Sequence, residues 1–184
     1  MHYLTIPGLH NSGPQHWQTL WENSCPQQFT RLQQKNWTNP LKDDWVNELN
    51  TCAQHTGTGL ILVAHSLGAI TVAHWASAYS PAYIAGALLV APADTENTQQ
   101  ECFKTFCPVP KNKFPFPSVV VASTNDPYCS IEKAARWSAY WGSKFICVGD
   151  KGHINAASGL GDWQEGFSVL AALTANIKKS FIPL

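Results

Sequence analysis

A chain of 184 residues with 45% hydrophobic side chains holds enough material for one domain with a substantial core and too little for two. Its 12 Lys plus Arg are matched by 12 Asp plus Glu, so no global positive field exists to hold nucleic acid or an anionic membrane by charge. The start MHYLTIPGLH lacks a basic stretch followed by a long apolar one, and no apolar run reaches the ~20 residues of a membrane helix, so a soluble, cytoplasmic protein is expected.

In chain order, HYLTIP at 2–7 reads as a first strand, with a weaker candidate near 28–34. Residues 40–56 carry Leu41, Trp45, Leu49 and Cys52 at helical spacing, and Asn39-Pro40 resembles an N-cap followed by Pro in the first turn. GLILVAH at 59–65 is a strand, and GAITVAHWASA at 68–78 is small or apolar nearly all round, as in a helix pressed against a sheet. IAGALLVA at 84–91 follows as a strand. From 92 to 117 five prolines break a polar stretch that also holds Phe103, Phe106, Phe114 and Phe116, predicting a long loop with at most one short helix. SVVVAS at 118–123 and KFICVG at 144–149 are strands. Between and after them, 131–141 and 163–178 are amphipathic helices, the second ending in Lys178-Lys179 where cations favour a helix C-terminus.

Several of these strands are apolar throughout instead of alternating, the pattern of parallel strands covered on both faces. Strands alternating with helices predict an α/β architecture for 1–184 as a single domain, a doubly wound, mostly parallel sheet with helices on both sides. The cysteines at 25, 52, 102, 107, 129 and 147 read as reduced thiols in the absence of a secretion signal. They lack paired metal-ligand spacing, so neither a metal nor a cofactor is implied.

The chemistry concentrates in LILVAHSLGAITVAHWA, where a strand ends at His65, Ser66 follows and a helix starts at Gly68. Such a corner turns a serine hydroxyl away from the sheet toward substrate, and small residues two positions either side, here Ala64 and Gly68, let the backbone close up. Ala64 departs by one methyl from the G-x-S-x-G pattern. The bland reading of Ser66 is a helix N-cap. A serine hydroxyl needs a base in reach and a third group to orient that base. In this chain order an acid and then a histidine follow, each in a loop after a later strand: Asp126 in Thr124-Asn125-Asp126-Pro127 and His153 in Asp150-Lys151-Gly152-His153. Asp94 and Asp150 are rival acids. Asp126 is preferred because it follows the strand just before the one leading to His153.

An oxyanion hole is expected from the backbone N–H of Leu67, next to the serine, plus one from the loop Pro7-Gly8-Leu9-His10-Asn11-Ser12-Gly13. Leu9 is the first choice and His10 the alternative. His10, Trp17 and Trp163 are candidates for the pocket wall, since they lie in or after site loops. His65, His16, His55 and His74 read as packed or surface histidines, and Trp45 and Trp75 as core.

PGLHNSGPQHWQTLWE at 7–22, VAHSLGA at 63–69, VAPAD at 90–94, ASTNDPYCS at 122–130 and WGSKFICVGDKGHINAASGLGDW at 141–163 together resemble a known family. It is the small α/β-hydrolases related to retinoblastoma-binding protein 9, and the resemblance covers nearly the whole chain. It implies a compact α/β-hydrolase fold without a large cap, with Ser66, Asp126 and His153 as catalytic residues and no established natural substrate.

The expected function is hydrolysis of a small-molecule acyl substrate of ester type through an acyl-enzyme. The rivals are a protein-interaction module on the same fold and a thioesterase, amidase or perhydrolase using the same three residues. The sequence singles out no protein partner.

Overall fold

The computed structural model describes residues 1–56, 59–79 and 84–180. Positions 57, 58, 80–83 and 181–184, and with them part of the span 1–184 expected as one domain, lie outside the described residues. Among the described residues six strands form one sheet: β1 (His2–Ile6), β2 (Phe29–Arg31), β3 (Leu60–His65), β4 (Ile84–Val90), β5 (Ser118–Ala122) and β6 (Lys144–Cys147). Their order is β2-β1-β3-β4-β5-β6 and every neighbouring pair is parallel. Among the same residues five α-helices connect or follow them: α1 (Trp17–Ser24), α2 (Lys42–Thr56), α3 (Leu67–Ala78), α4 (Ile131–Trp141) and α5 (Gln164–Ser180).

The apolar strands are explained by two cores, one on each face. Leu60, Leu62, Ala64, Ala87, Leu89 and Val120 face Trp45, Leu49, Ile70, Trp75, Trp137 and Trp141 of α2, α3 and α4. Ile61, Val63, Leu88, Val90, Val119 and Val121 face Trp17 and Trp21 of α1 and Leu170, Leu173 and Ile177 of α5. Successive side chains of a strand point to opposite faces, so a sheet covered twice needs an apolar residue at nearly every position. α3 is the most enclosed helix, with eight of its residues buried, which accounts for its lack of a polar face.

Several boundaries differ from expectation. α2 begins at Lys42, because Asn36 Oδ1 accepts from the amides of Thr38 and Asn39 and holds this stretch as a turn. Leu41 therefore falls outside the buried stripe and is 52% exposed, and Val46 and Ala53 join Trp45 and Leu49 in it. α1 appears where no helix was expected. β6 stops at Cys147, and the left-handed Gly149 (φ 69°) turns the chain into the following loop. In the segment 92–117 only a 3-10 helix, Glu101–Phe106, is regular.

The first connection carries the chain from β1 to its outer neighbour β2, and the next returns it to the other side of β1 as β3. Loops leaving β1 and β3 thus diverge at the carboxyl ends of adjacent strands, opening the crevice in which such sheets bind ligands.

Candidate active site

Ser66 occupies the corner between β3 and α3 with φ 55° and ψ −122°. A non-glycine residue held there costs about 1–3 kcal/mol and persists only where its surroundings dictate it. The Ser66 amide donates to the Val90 carbonyl at 3.0 Å, while its hydroxyl makes no capping bond to α3. Two glycines allow the close approach: a Cβ on Gly68 would stand 2.7 Å from the Pro7 carbonyl oxygen and closer still to that of Ile6, and one on Gly8 would stand 2.7 Å from Ser66 Cβ.

The hydroxyl is directed to His153 instead. Ser66 Oγ lies 2.8 Å from His153 Nε2, and His153 Nδ1 lies 3.0 and 2.9 Å from the two carboxyl oxygens of Asp126. An ionised carboxylate only accepts, so Nδ1 donates to Asp126, and Nε2 accepts the serine proton. The Asp126 and His153 side chains are 2% and 8% exposed, which keeps water from competing for these bonds.

Two side-chain donors fix consecutive carbonyls of the His153 loop. His65 Nε2 bonds the His153 carbonyl at 2.9 Å, and Trp17 Nε1 bonds the Ile154 carbonyl at 2.8 Å. Ile154 is itself held at φ 48°, so these bonds secure a backbone that would otherwise relax. Burial, aided by His16 and His153, pulls the His65 group well below its usual range. The neutral ring then donates through Nε2. Arg31 of β2 braces the loop after β1, donating to the Ser12 carbonyl (2.8 Å) and Asn11 Oδ1 (3.2 Å) while pairing with Glu22 (2.8 Å).

The rival acids are engaged elsewhere. Asp94 accepts from Lys133 Nζ at 2.6 Å and from the amides of Glu96 and Asn97, and Asp150 accepts from the Thr124 hydroxyl. Cys129, nearby and buried, is pushed up to about 12 by burial and by the carboxylates of Asp94 and Asp126, so it stays a neutral thiol.

Leu67 is the first residue of α3, and neither its N–H nor that of Leu9 has a hydrogen-bond partner among the described residues. The His10 amide donates to the Trp37 carbonyl at 2.8 Å and is already spent. Ser66 and His153 open into a cavity of about 450 Å3 whose wall includes Leu9, His10, His16, Phe103 and Tyr128 and, among the described residues, no Lys, Arg, Asp or Glu. Trp17 and Trp163 do not line it. They are buried below the site, where Trp17, Trp21 and Trp163 pack with centroids 4.5–6.1 Å apart. Of the four phenylalanines only Phe103 reaches the cavity. Phe106, Phe114 and Phe116 pack into the α2–α4 core, Phe114 stacked on Trp141 at 5.3 Å.

His16 and Tyr128 were not foreseen as site residues. Tyr128, half exposed, meets His153 edge-on at 4.6 Å. His16 caps α1, and a histidine cap gives no sequence signal beside the usual Ser, Thr, Asp or Asn. Among the described residues no cluster of His, Cys, Asp or Glu has the geometry to hold a metal ion, and no helix is long and apolar enough to cross a membrane.

A six-stranded parallel sheet covered on both faces, with a serine corner after β3 and no large cap, defines an α/β hydrolase. The chain belongs to the serine hydrolase family, whose model matches residues 3–172. Among solved structures it is similar to a protein of Pectobacterium atrosepticum described as a YdeN-like hydrolase, with 32% identity over 96% of this chain and 91% of that one and a TM-score of 0.87. The ydeN gene product of B. subtilis has 20% identity over 95% and 98% of the two chains, with a TM-score of 0.78. A monoacylglycerol lipase of Paleococcus ferrophilus shares the fold at 12% identity over 94% and 93%, with a TM-score of 0.70. No curated protein matches the chain.

Proposed function

We propose that the protein is a carboxylesterase-like serine hydrolase acting on small, uncharged, short-acyl esters. What carries this reading is the unbroken hydrogen-bond line Ser66–His153–Asp126 at the floor of an uncharged cavity. Ser66 Oγ adds to the ester carbonyl carbon as its proton passes to His153 Nε2, and Asp126 stabilises the resulting imidazolium. The carbonyl oxygen, now negative, is received by the N–H groups of Leu67 and Leu9, each worth about 2.7–4 kcal/mol in such a role. His153 returns the proton to the departing alkoxide, leaving an acyl-serine. A water then adds with His153 as base, and the acid product leaves as Ser66 regains its proton. The reaction needs no cofactor.

Residues 1–184 act as one domain in this reading. The six free thiols fit a reducing, cytoplasmic location. The likeness to hydrolases related to retinoblastoma-binding protein 9 is its finer family placement, supported by the motifs at 63–69, 122–130 and 141–163. Hydrolysis of p-nitrophenyl acetate and butyrate tests the proposal. The wild-type protein should turn over both, and Ser66→Ala should lose ~10³-fold or more in kcat while unfolding at an unchanged denaturant midpoint. No turnover by the wild type, or full turnover by folded Ser66→Ala, would refute it.

A further inference from the structure

Tyr128 stands beside the reacting histidine, yet the reaction above makes no use of its side chain. Its ring meets that of His153 at 68° with centroids 4.6 Å apart, and the residue is 52% exposed. Its amide donates to Asp126 Oδ1 at 2.9 Å, its carbonyl accepts from the Asp94 amide at 3.0 Å, and Pro127 before it fixes one backbone rotation. The ring is therefore presented to solvent on a backbone held from both sides. Among the described residues the other large apolar side chains with such exposure are Met1, Leu41 and Tyr140, and none of them lines a cavity beside His153.

The cavity over Ser66 adjoins a second groove, of about 500 Å3, at this ring. Tyr128, His153, Asn155 and Ala157 belong to both walls, whereas Ser66 belongs to the first alone and Pro127 and Leu160 to the second alone. The chemistry assigns the two halves of an ester to these spaces. The acyl half ends bonded to Ser66 Oγ with its carbonyl oxygen at Leu67 and Leu9, so it occupies the cavity that Ser66 lines. The leaving oxygen must take its proton from His153 Nε2, so the alcohol half departs on the histidine side, where Tyr128 is the exposed ring. Beyond that ring the groove adds the apolar surfaces of Pro127 and Leu160, and the opposite charges of Asp150 and Lys151 in its wall give it no net preference for a charged alcohol.

We propose that Tyr128 is a substrate-binding residue whose ring packs against the alcohol half of the ester, which passes from His153 into the second groove. The preferred substrates are then short-acyl esters of uncharged alcohols that carry a flat aromatic ring close to the ester oxygen. This inference rests on the esterase reading of the same site.

Two pairs of esters test it. Benzyl acetate against cyclohexylmethyl acetate places a flat or a puckered ring of like size in the alcohol half, and methyl phenylacetate against methyl cyclohexylacetate places the same rings in the acyl half. The quantity read is the kcat/KM ratio within a pair, compared between wild type and variant, where intrinsic reactivity cancels. Tyr128→Leu removes the ring and should lower the alcohol-side ratio about 2- to 10-fold, the worth of one aromatic pair, while the acyl-side ratio stays where it is. Tyr128→Phe keeps the ring and should retain both ratios, and Tyr128→Met serves if the leucine variant fails to fold. Leu160→Trp, or Leu160→Phe if the larger side chain is not tolerated, narrows the groove at a residue outside the wall over Ser66 and should lower kcat/KM for 2-naphthylmethyl acetate more than for methyl acetate. An alcohol-side ratio unchanged in the folded ringless variant, a fall of equal size on both sides, a Tyr128→Phe protein that behaves like the leucine variant, or a Leu160 variant that treats the two acetates alike overturns the inference while leaving the esterase reading intact. A wild-type protein that hydrolyses none of these esters overturns both.

Discussion

Replacing Asp126 by Asn changes one group of the site and almost none of its volume. Both carboxyl oxygens lie within 3.0 Å of His153 Nδ1, and Oδ1 also accepts the Tyr128 amide at 2.9 Å. An asparagine that keeps its oxygen on the Tyr128 N–H turns its NH2 group toward Nδ1. The imidazole must then accept at Nδ1 and carry its proton on Nε2, where it meets the Ser66 hydroxyl as a second donor and cannot take its proton. The side chain is 2% exposed, so water does not fill in for the lost acceptor. A wrong tautomer of this kind costs roughly 10³–10⁴-fold in kcat, or about 4–5.5 kcal/mol at 1.36 kcal/mol per decade. Asp94→Asn instead weakens the bond to Lys133 away from the reacting atoms and should hold kcat within about threefold, the scale of a partly exposed ion pair. Steady-state hydrolysis of p-nitrophenyl butyrate by the two variants, both checked for fold by circular dichroism, decides the matter. Near-native turnover by Asp126→Asn together with collapse in Asp94→Asn would refute the argument and reassign the acid.

Three further outcomes follow from the same geometry. Trp17→Phe keeps the aromatic packing but removes the donor to the Ile154 carbonyl, so kcat should fall about tenfold with KM little changed and stability lowered by about 1–3 kcal/mol, and an unaltered kcat would show that the loop holds without that bond. His16 and His65 are held to about 3 and well below 6.5 when folded but titrate near 6.5 when unfolded, so the unfolded chain gains protons as pH falls below 6.5 and stability declines toward pH 3, by at most ~1.4 kcal/mol per pH unit for each ring. Urea midpoints at pH 7 and 5 should show this decline, shallower in His16→Asn, and a wild-type midpoint that held or rose at pH 5 would contradict it. With only Phe103 of the four phenylalanines in a cavity of about 450 Å3, kcat/KM should be higher for acetyl to butyryl aryl esters than for dodecanoyl, and a steady rise with chain length below the micelle concentration would reveal an apolar channel instead.

The parts legible in the sequence were those in which one local rule dominates. The strands β3, β4 and β5 stand out because burial on both faces forces continuous apolar runs, and Ser66, Asp126 and His153 stand out because each follows a strand in a fixed chain order. The parts missed depend on contacts between distant segments. α1 is capped by a histidine and joined through Trp17 to a loop 137 residues later, so neither its start nor its purpose is written locally. Trp163, held at φ 41°, joins Trp17 and Trp21 in a stack, which draws it under the site and away from the cavity. The proline-rich stretch 92–117 reads in the sequence as a loop, with nothing to say where its four phenylalanines go. Three of those rings turn inward because the helices α2–α4 offer them an apolar bed, and periodicity carries no information about that in a segment with so little regular structure.

The central claim is that Ser66 is a nucleophile activated by His153, and a fluorophosphonate probe tests it most directly, since it needs no knowledge of the substrate. Treated protein, digested and mapped by mass spectrometry, should carry the phosphonyl group on Ser66 alone, and His153→Ala should slow the labelling by orders of magnitude at unchanged fold. Labelling at another residue, or undiminished labelling of a folded Ser66→Ala protein, would contradict the account.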